Sequence, residues 1–177
     1  MSIANWQVDP DHSCVEFSVT HLMINRIKGV FERFQANLRF DPDDFATTVI
    51  QASIDADSMT TRQPQRDAHL KSEEFFHVTK YPDITFQSIG CAQVGERQCE
   101  LTGNLTLHGI TRLITFHTTF GGLNKDPRGR ERAGFLSKAS IDRSDFGLSF
   151  NSPLETGGIV VANEVKIALY IEAIKVE

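Results

Sequence analysis

Six histidines and three cysteines are the residues of this chain best suited to metal binding or nucleophilic chemistry. Their spacing supports neither. His12 and His21, His69 and His77, and His108 and His117 stand eight or nine residues apart, without the compact spacing of a common zinc motif. There is no Gly-x-Ser-x-Gly turn, and no motif positions a Cys–His or Ser–His–Asp set. Asp145-Phe146-Gly147 lacks the glycine-rich loop and lysine strand of a kinase, and reads as a turn after Ile141. Gly157-Gly158 lacks the strand-then-helix context of a phosphate-binding loop. The expectation is therefore no catalytic residue, no metal and no cofactor. Cys14, Cys91 and Cys99 are too few for a disulfide framework. Cys91 and Cys99 could face each other across a hairpin around Gly95, with buried reduced thiols the preferred reading.

One cluster joins charge to an unusual position. Arg66-Asp67-Ala68-His69-Leu70, followed by Phe75-Phe76 and Tyr81-Pro82-Asp83, is the clearest helix-like interruption in a chain that otherwise alternates apolar and polar residues. In a closed β-structure such a segment lies over one end. The planar donors of arginine suit a phosphate or carbonyl oxygen. Arg66, Asp67 and His69, together with Asp142, are thus candidates for contacting the polar end of a ligand at a barrel mouth. The competing reading is that Arg66 or Asp67 pins the helix to a neighbouring strand by a salt bridge.

The elements that would position this cluster are strands. Val15, Phe17 and Val19 alternate with Glu16, Ser18 and Thr20. After a break at Leu22-Met23-Ile24-Asn25, Val30, Phe34, Ala36, Leu38 and Phe40 share one face, and Arg33, Gln35, Asn37 and Arg39 the other. Period two over that length predicts one half-buried strand. Ile50, Ala52, Ile54 and Ala56 continue the pattern after Asp41-Pro42-Asp43-Asp44. Further strands follow at Ile84–Phe86, Leu101–Leu107, Leu113–Phe120, Phe135–Ile141 and Val165–Ile171. A polar loop is expected from Gly121-Gly122 through Gly129. About eight strands in one domain over residues 1–177 suggest a sandwich or an antiparallel barrel. An eight-stranded barrel either fills its interior with side chains or encloses one small ligand.

Composition narrows the function classes. A net charge of −5 and a pI near 5.7 give little support to a nucleic-acid partner. Mean hydropathy is −0.23, and no apolar run reaches the roughly 18 residues of a membrane span. Thirteen Phe against one Trp and two Tyr suit a dry interior or a greasy cavity. The opening Met-Ser-Ile-Ala-Asn-Trp has neither the basic start nor the hydrophobic stretch of a secretory signal. A cytoplasmic protein is the expectation, with a periplasmic mature form as the alternative.

Several blocks, in order, resemble the YceI-like family. They are Trp6-Gln7-Val8-Asp9 with His12-Ser13; Phe17-Ser18-Val19-Thr20-His21-Leu22-Met23-Ile24 with Gly29-Val30-Phe31; the helical segment; Gly103-Asn104-Leu105-Thr106-Leu107-His108-Gly109-Ile110-Thr111-Arg112; Asp142-Arg143-Ser144-Asp145-Phe146-Gly147-Leu148; and Leu154-Glu155-Thr156-Gly157-Gly158. His77, Phe150 and Ala162-Asn163 depart from the family pattern, where an acidic residue, Trp and Gly-Asp are more usual. The resemblance implies an all-β, antiparallel eight-stranded lipocalin-like barrel with a short helical insert near one end. It also implies a polyisoprenoid or quinone-like lipid carried or stored inside, and a homodimer. Phe17, Val19, Met23, Phe34, Leu38 and Phe86 are the candidates for lining the lipid tail, and each could equally be plain core. The competing functions are an enzyme acting on a hydrophobic substrate, with chemistry near Arg66, His69 and Asp142, and a filled barrel serving as an interaction scaffold.

Overall fold

Residues that alternate in polarity form strands here because one face finds an apolar interior and the other finds water. The computed structural model describes residues 2–177, and among these eleven strands form one sheet. They are β1 (Ala4–Val8), β2 (Cys14–His21), β3 (Asn25–Phe31), β4 (Phe34–Asp41), β5 (Asp44–Asp55), β6 (Met59–Thr60), β7 (Asp83–Gly95), β8 (Gln98–Leu107), β9 (Ile110–Lys125), β10 (Glu131–Asp142) and β11 (Val161–Lys175). Eight of them, in the order β1-β4-β5-β7-β8-β9-β10-β11, close into an antiparallel barrel, with β1 bonded to both β4 and β11. Closure removes the free edges that would invite aggregation. β1 pairs only with the end of β11, from Trp6↔Lys175 to Val8↔Ala173. Further along β11, β2 takes over from Tyr170↔Cys14 to Val161↔His21, and carries β3 and the short β6 with it.

Two expectations need correction. The stretch from Val30 to Phe40 is two strands, because Glu32 and Arg33 turn away to bond Ser58. The Glu32 N–H donates to the Ser58 carbonyl at 3.1 Å and the Arg33 N–H to Ser58 Oγ at 3.0 Å. The break shifts the phase: Gly29 and Phe31 are buried in β3, Leu38 and Phe40 in β4. Val30 therefore lies on the face opposite Phe31, not on the face that continues into Leu38. The second correction concerns Gly121-Gly122, expected in a loop. β9 continues through them to Lys125, and the pairing with β10 shifts at Gly134/Phe135. Gly122 absorbs that irregularity with φ of 116°, a conformation glycine adopts without steric cost.

The helical insert is α1 (Pro64–Lys71). Pro64 pre-sets the first turn, and the Gln63 side chain accepts from the Arg66 N–H at 2.7 Å as an N-cap. No residue of α1 is fully buried; Leu70 packs against the apolar cluster beneath it, and polar ties fasten the rest.

Two apolar clusters close the barrel at its ends. At the hairpin end the Phe40 ring meets Trp6, Phe135 and Phe120 at centroid distances of 5.1, 5.2 and 6.0 Å. Beneath α1, Phe31, Ile84, Leu105, Leu107, Phe146 and Leu148 form the other cluster. Between them Phe86 lies across Gly103. A Cβ at position 103 would come within 2.4 Å of that ring and 2.5 Å of the Gln87 carbonyl oxygen, so even alanine would force the backbone to shift.

A charged cluster braces the hairpin end from outside. Arg132 donates to Asp9 Oδ2 at 2.7 Å, to Asp126 Oδ2 at 3.0 Å, and to Glu172. Its bond is the main cause holding the Asp9 carboxyl below the usual carboxylate range. Desolvation pushes Asp126 up, but bonds from Arg130 and Arg132 outweigh it and hold it low as well. A depressed folded-state pKa adds stability above the unfolded value, about 4, and that stability is lost as pH falls through the folded value. The thermal midpoint should therefore drop as pH is lowered from about 5 to about 2.5, and drop less steeply in Arg132→Met. Calorimetry of both proteins across that range checks this; parallel curves would contradict it.

Candidate functional site

The inward faces of the strands do not meet. They leave a cavity of about 240 Å3 walled by Phe, Leu, Ile and Val from β1–β5, β7–β11, α1 and the segment after it. Along β11 the wall runs from Val161 to Ile171. At about 3.3 Å per residue and a tilt near 40°, that is about 25 Å of barrel axis. The space is a tube.

Of the six residues expected to line it, Phe17, Val19, Phe34, Leu38 and Phe86 do. Met23 does not. It sits in the β2–β3 turn with φ of 61° and is 62% exposed, its sulfur lying over Gly158. The turn carries it off the barrel, so the alternation of β2 no longer applies there. Phe45, Ile54, Phe75, Leu107 and Ile167 also face the tube. The same alternation flagged Ile54, Leu107 and Ile167, whereas Phe45 stands at the start of β5, ahead of the run that the alternation marked, and Phe75 lies in a turn that carries no periodic signal.

The polar candidates at the mouth are spent locally, and none of the four lines the cavity. Asp67 accepts from the Thr61 N–H at 2.8 Å, Thr61 Oγ1 at 2.5 Å and Thr60 Oγ1 at 3.1 Å. Arg66 donates to Thr61 Oγ1 at 2.7 Å and the Thr61 carbonyl at 2.9 Å. Together they fasten α1 to the end of β6 by hydrogen bonds, where the sequence suggested a salt bridge. His69 bonds Glu74 and stands edge-on to Phe75 and Phe150, at 5.0 and 4.9 Å. Asp142 caps the turn Arg143–Phe146 by accepting from the Ser144 N–H at 2.9 Å and Ser144 Oγ at 2.6 Å. Desolvation pushes the Asp67 carboxyl up, yet the threonine bonds win and hold it below its usual value. Asp67→Ala should cost about 1–3 kcal/mol by orphaning the part-buried threonine donors. A denaturant titration reads this, and an unchanged midpoint would contradict the fastening role.

The tube holds a few polar groups. Thr48, Cys91, Cys99, Thr118 and Ser137 face its hairpin half. Thr118 and Ser137 bond each other at 2.8 Å. Cys91 and Cys99 are free, buried thiols that share a hydrogen bond. That bond, reinforced by burial, holds the Cys99 thiol well above its usual range. In the helix half stands Arg143, 4% exposed and part of the wall. It lies just past the end of β10, at the start of the turn Arg143–Phe146, where strand alternation no longer applies and nothing in the sequence signals its burial.

Elsewhere, ligand atoms of Asp9, His12 and Glu172 lie within 4.8 Å of one another. The Arg132 guanidinium bonds both Asp9 and Glu172 and so supplies the positive charge there. Among the described residues no helix is long and apolar enough to cross a membrane.

Comparison with known proteins matches residues 6–173 to the YceI-like domain. A UPF0312 protein of Staphylococcus aureus is 36% identical over 165 residues, covering 93% of this chain and 94% of its own. BcnA of Burkholderia cenocepacia superposes with a TM-score of 0.82 at 25% identity, covering 93% of this chain and 98% of its own. The YCEI protein of Campylobacter jejuni gives 0.76 at 30% identity, covering 89% and 90%. A polyisoprenoid binding domain from Saccharophagus degradans gives 0.73 at 16% identity, covering 97% and 98%, a likeness of fold alone.

Proposed function

The chain belongs to the YceI-like family, and on that premise we propose that it binds a long-chain polyisoprenoid or quinone-like lipid in its barrel and carries or stores it in an aqueous compartment. The observation that carries this reading is the tube: about 25 Å of almost unbroken hydrocarbon wall. A tail gains roughly 0.8 kcal/mol per buried methylene equivalent, so about fifteen would contribute about 12 kcal/mol before the ordering costs of binding. No directional contact is needed along such a tail. The description of the S. degradans neighbour as polyisoprenoid-binding adds support by fold analogy. Binding is favoured over catalysis because Arg66, His69 and Asp142 are each engaged within their own turns. The carrier is proposed to act as a homodimer, as the family resemblance implies.

A series of prenyl alcohols of increasing length, titrated into delipidated protein, tests the reading. Affinity should rise with each added isoprene unit and level off once the tube is full. Affinity independent of length would contradict it.

A further inference from the structure

Arg143 is a buried cation in the cavity wall whose guanidinium makes no direct ion pair among the described residues. Its side chain is held by three carbonyls: Nε donates to Ala162 O at 2.9 Å, Nη1 to Leu148 O at 2.5 Å and Nη2 to Val161 O at 3.2 Å. The neighbouring carboxylate, Asp142, acts on the guanidinium through space, but its hydrogen bonds go to Ser144. The one acid on the cavity wall, Glu16, pairs with Lys28 at 3.4 Å.

A guanidinium has five N–H donors and stays charged in proteins. Three are used, which leaves one on each terminal nitrogen. Carbonyl dipoles and the nearby Asp142 charge ease the burial but give the cation no direct partner, and a buried charge without one is costly. The same group forms part of the cavity wall, at the helix end, where a tail extended toward the hairpin end would leave its head. An anionic oxygen there would supply both a direct ion pair and the missing acceptors.

We propose that Arg143 is the head-group anchor of the cavity, and that the preferred ligand is a single-tailed amphiphile with an anionic head, a phosphate monoester or a carboxylate. The inference rests on the lipid-binding reading above and sharpens it. A neutral quinone or alcohol fills the tube but leaves the cation unpaired. Arg66, Asp67, His69 and Asp142 hold the surrounding turns and do not select the head.

The test compares two ligands with one tail, farnesyl monophosphate and farnesol, by calorimetric titration into wild type, Arg143→Gln and Arg143→Lys. Wild type should prefer the phosphate by about tenfold or more, the value of a charge-assisted bond. In Arg143→Gln the ratio should fall to within about twofold of unity. Arg143→Lys keeps the charge but loses the planar fork, so its preference should lie between the two. Circular dichroism verifies the fold of each variant, and the lysine variant decides alone if the glutamine variant does not fold. Inorganic phosphate should not displace farnesyl monophosphate; displacement would reveal a free-anion site and overturn the amphiphile assignment. Equal affinity of wild type for both ligands would overturn the proposal while leaving lipid binding intact. A preference undiminished in the variants would overturn the role of Arg143. Binding of neither ligand would overturn the lipid-binding reading itself.

Discussion

Ala52→Phe is expected to lower the affinity for a long prenyl lipid by at least about a hundredfold while the protein stays folded. Ala52 faces the tube from β5, directly opposite Ala36 of β4 in the strand register, and both belong to the wall. This pair of small side chains leaves the tube wide at that level. A phenyl ring there takes the space of about four methylene equivalents of tail, worth about 3 kcal/mol, which is about two decades of affinity. The ring enters the cavity that Ala52 lines rather than a close-packed core, so the overpacking penalty is small. Gln51→Phe is the control, since Gln51 sits one residue away on the exposed face. It should bind as wild type does. Equal affinities for the two variants would mean that the lipid binds elsewhere than in the barrel.

Phe40→Ala is the second large effect, this time on stability. Phe40 is 1% exposed and its ring contacts Trp6, Phe120 and Phe135, which close the hairpin end. Truncating a buried phenylalanine costs about 3–5 kcal/mol, the transfer term plus the cavity left behind. For a chain of this length that is a fall of about 10 °C in thermal midpoint. The residue also bounds the tube, so the new void should be continuous with the ligand space. Added lipid should restore part of the lost midpoint, because it binds the folded state alone. A fall of less than about 1 °C, by calorimetry, would show that the aromatic cluster does not hold that end together.

The sequence carried the barrel because strand alternation is local: a residue and its second neighbour share a face whatever the rest of the chain does. The inward placement of Phe17, Leu38 and Phe86 follows from that rule. It failed where the chain changes phase or leaves the sheet. Glu32-Arg33 flips the parity between β3 and β4 through bonds to Ser58, a partner 25 residues away at Arg33. Met23 leaves the barrel on a turn with positive φ. Neither event has a periodic signature. The polar site was harder to read for a different reason. Arg66, Asp67, His69 and Asp142 have the right chemistry for a head group, but residue type does not reveal that a side chain is already spent on Thr61, Glu74 or Ser144. Arg143 lies next to one of the named candidates. Its burial depends on three carbonyls, one from the turn after Phe146 and two from the start of β11, which only the folded chain brings together.

The most direct measurement is native mass spectrometry of the protein purified from its own host without detergent, followed by extraction and identification of whatever small molecule it retains. A prenyl or similar single-tailed lipid bound at one per barrel is the expected result. A protein that emerges empty, and takes up no added prenyl lipid, would contradict the carrier reading.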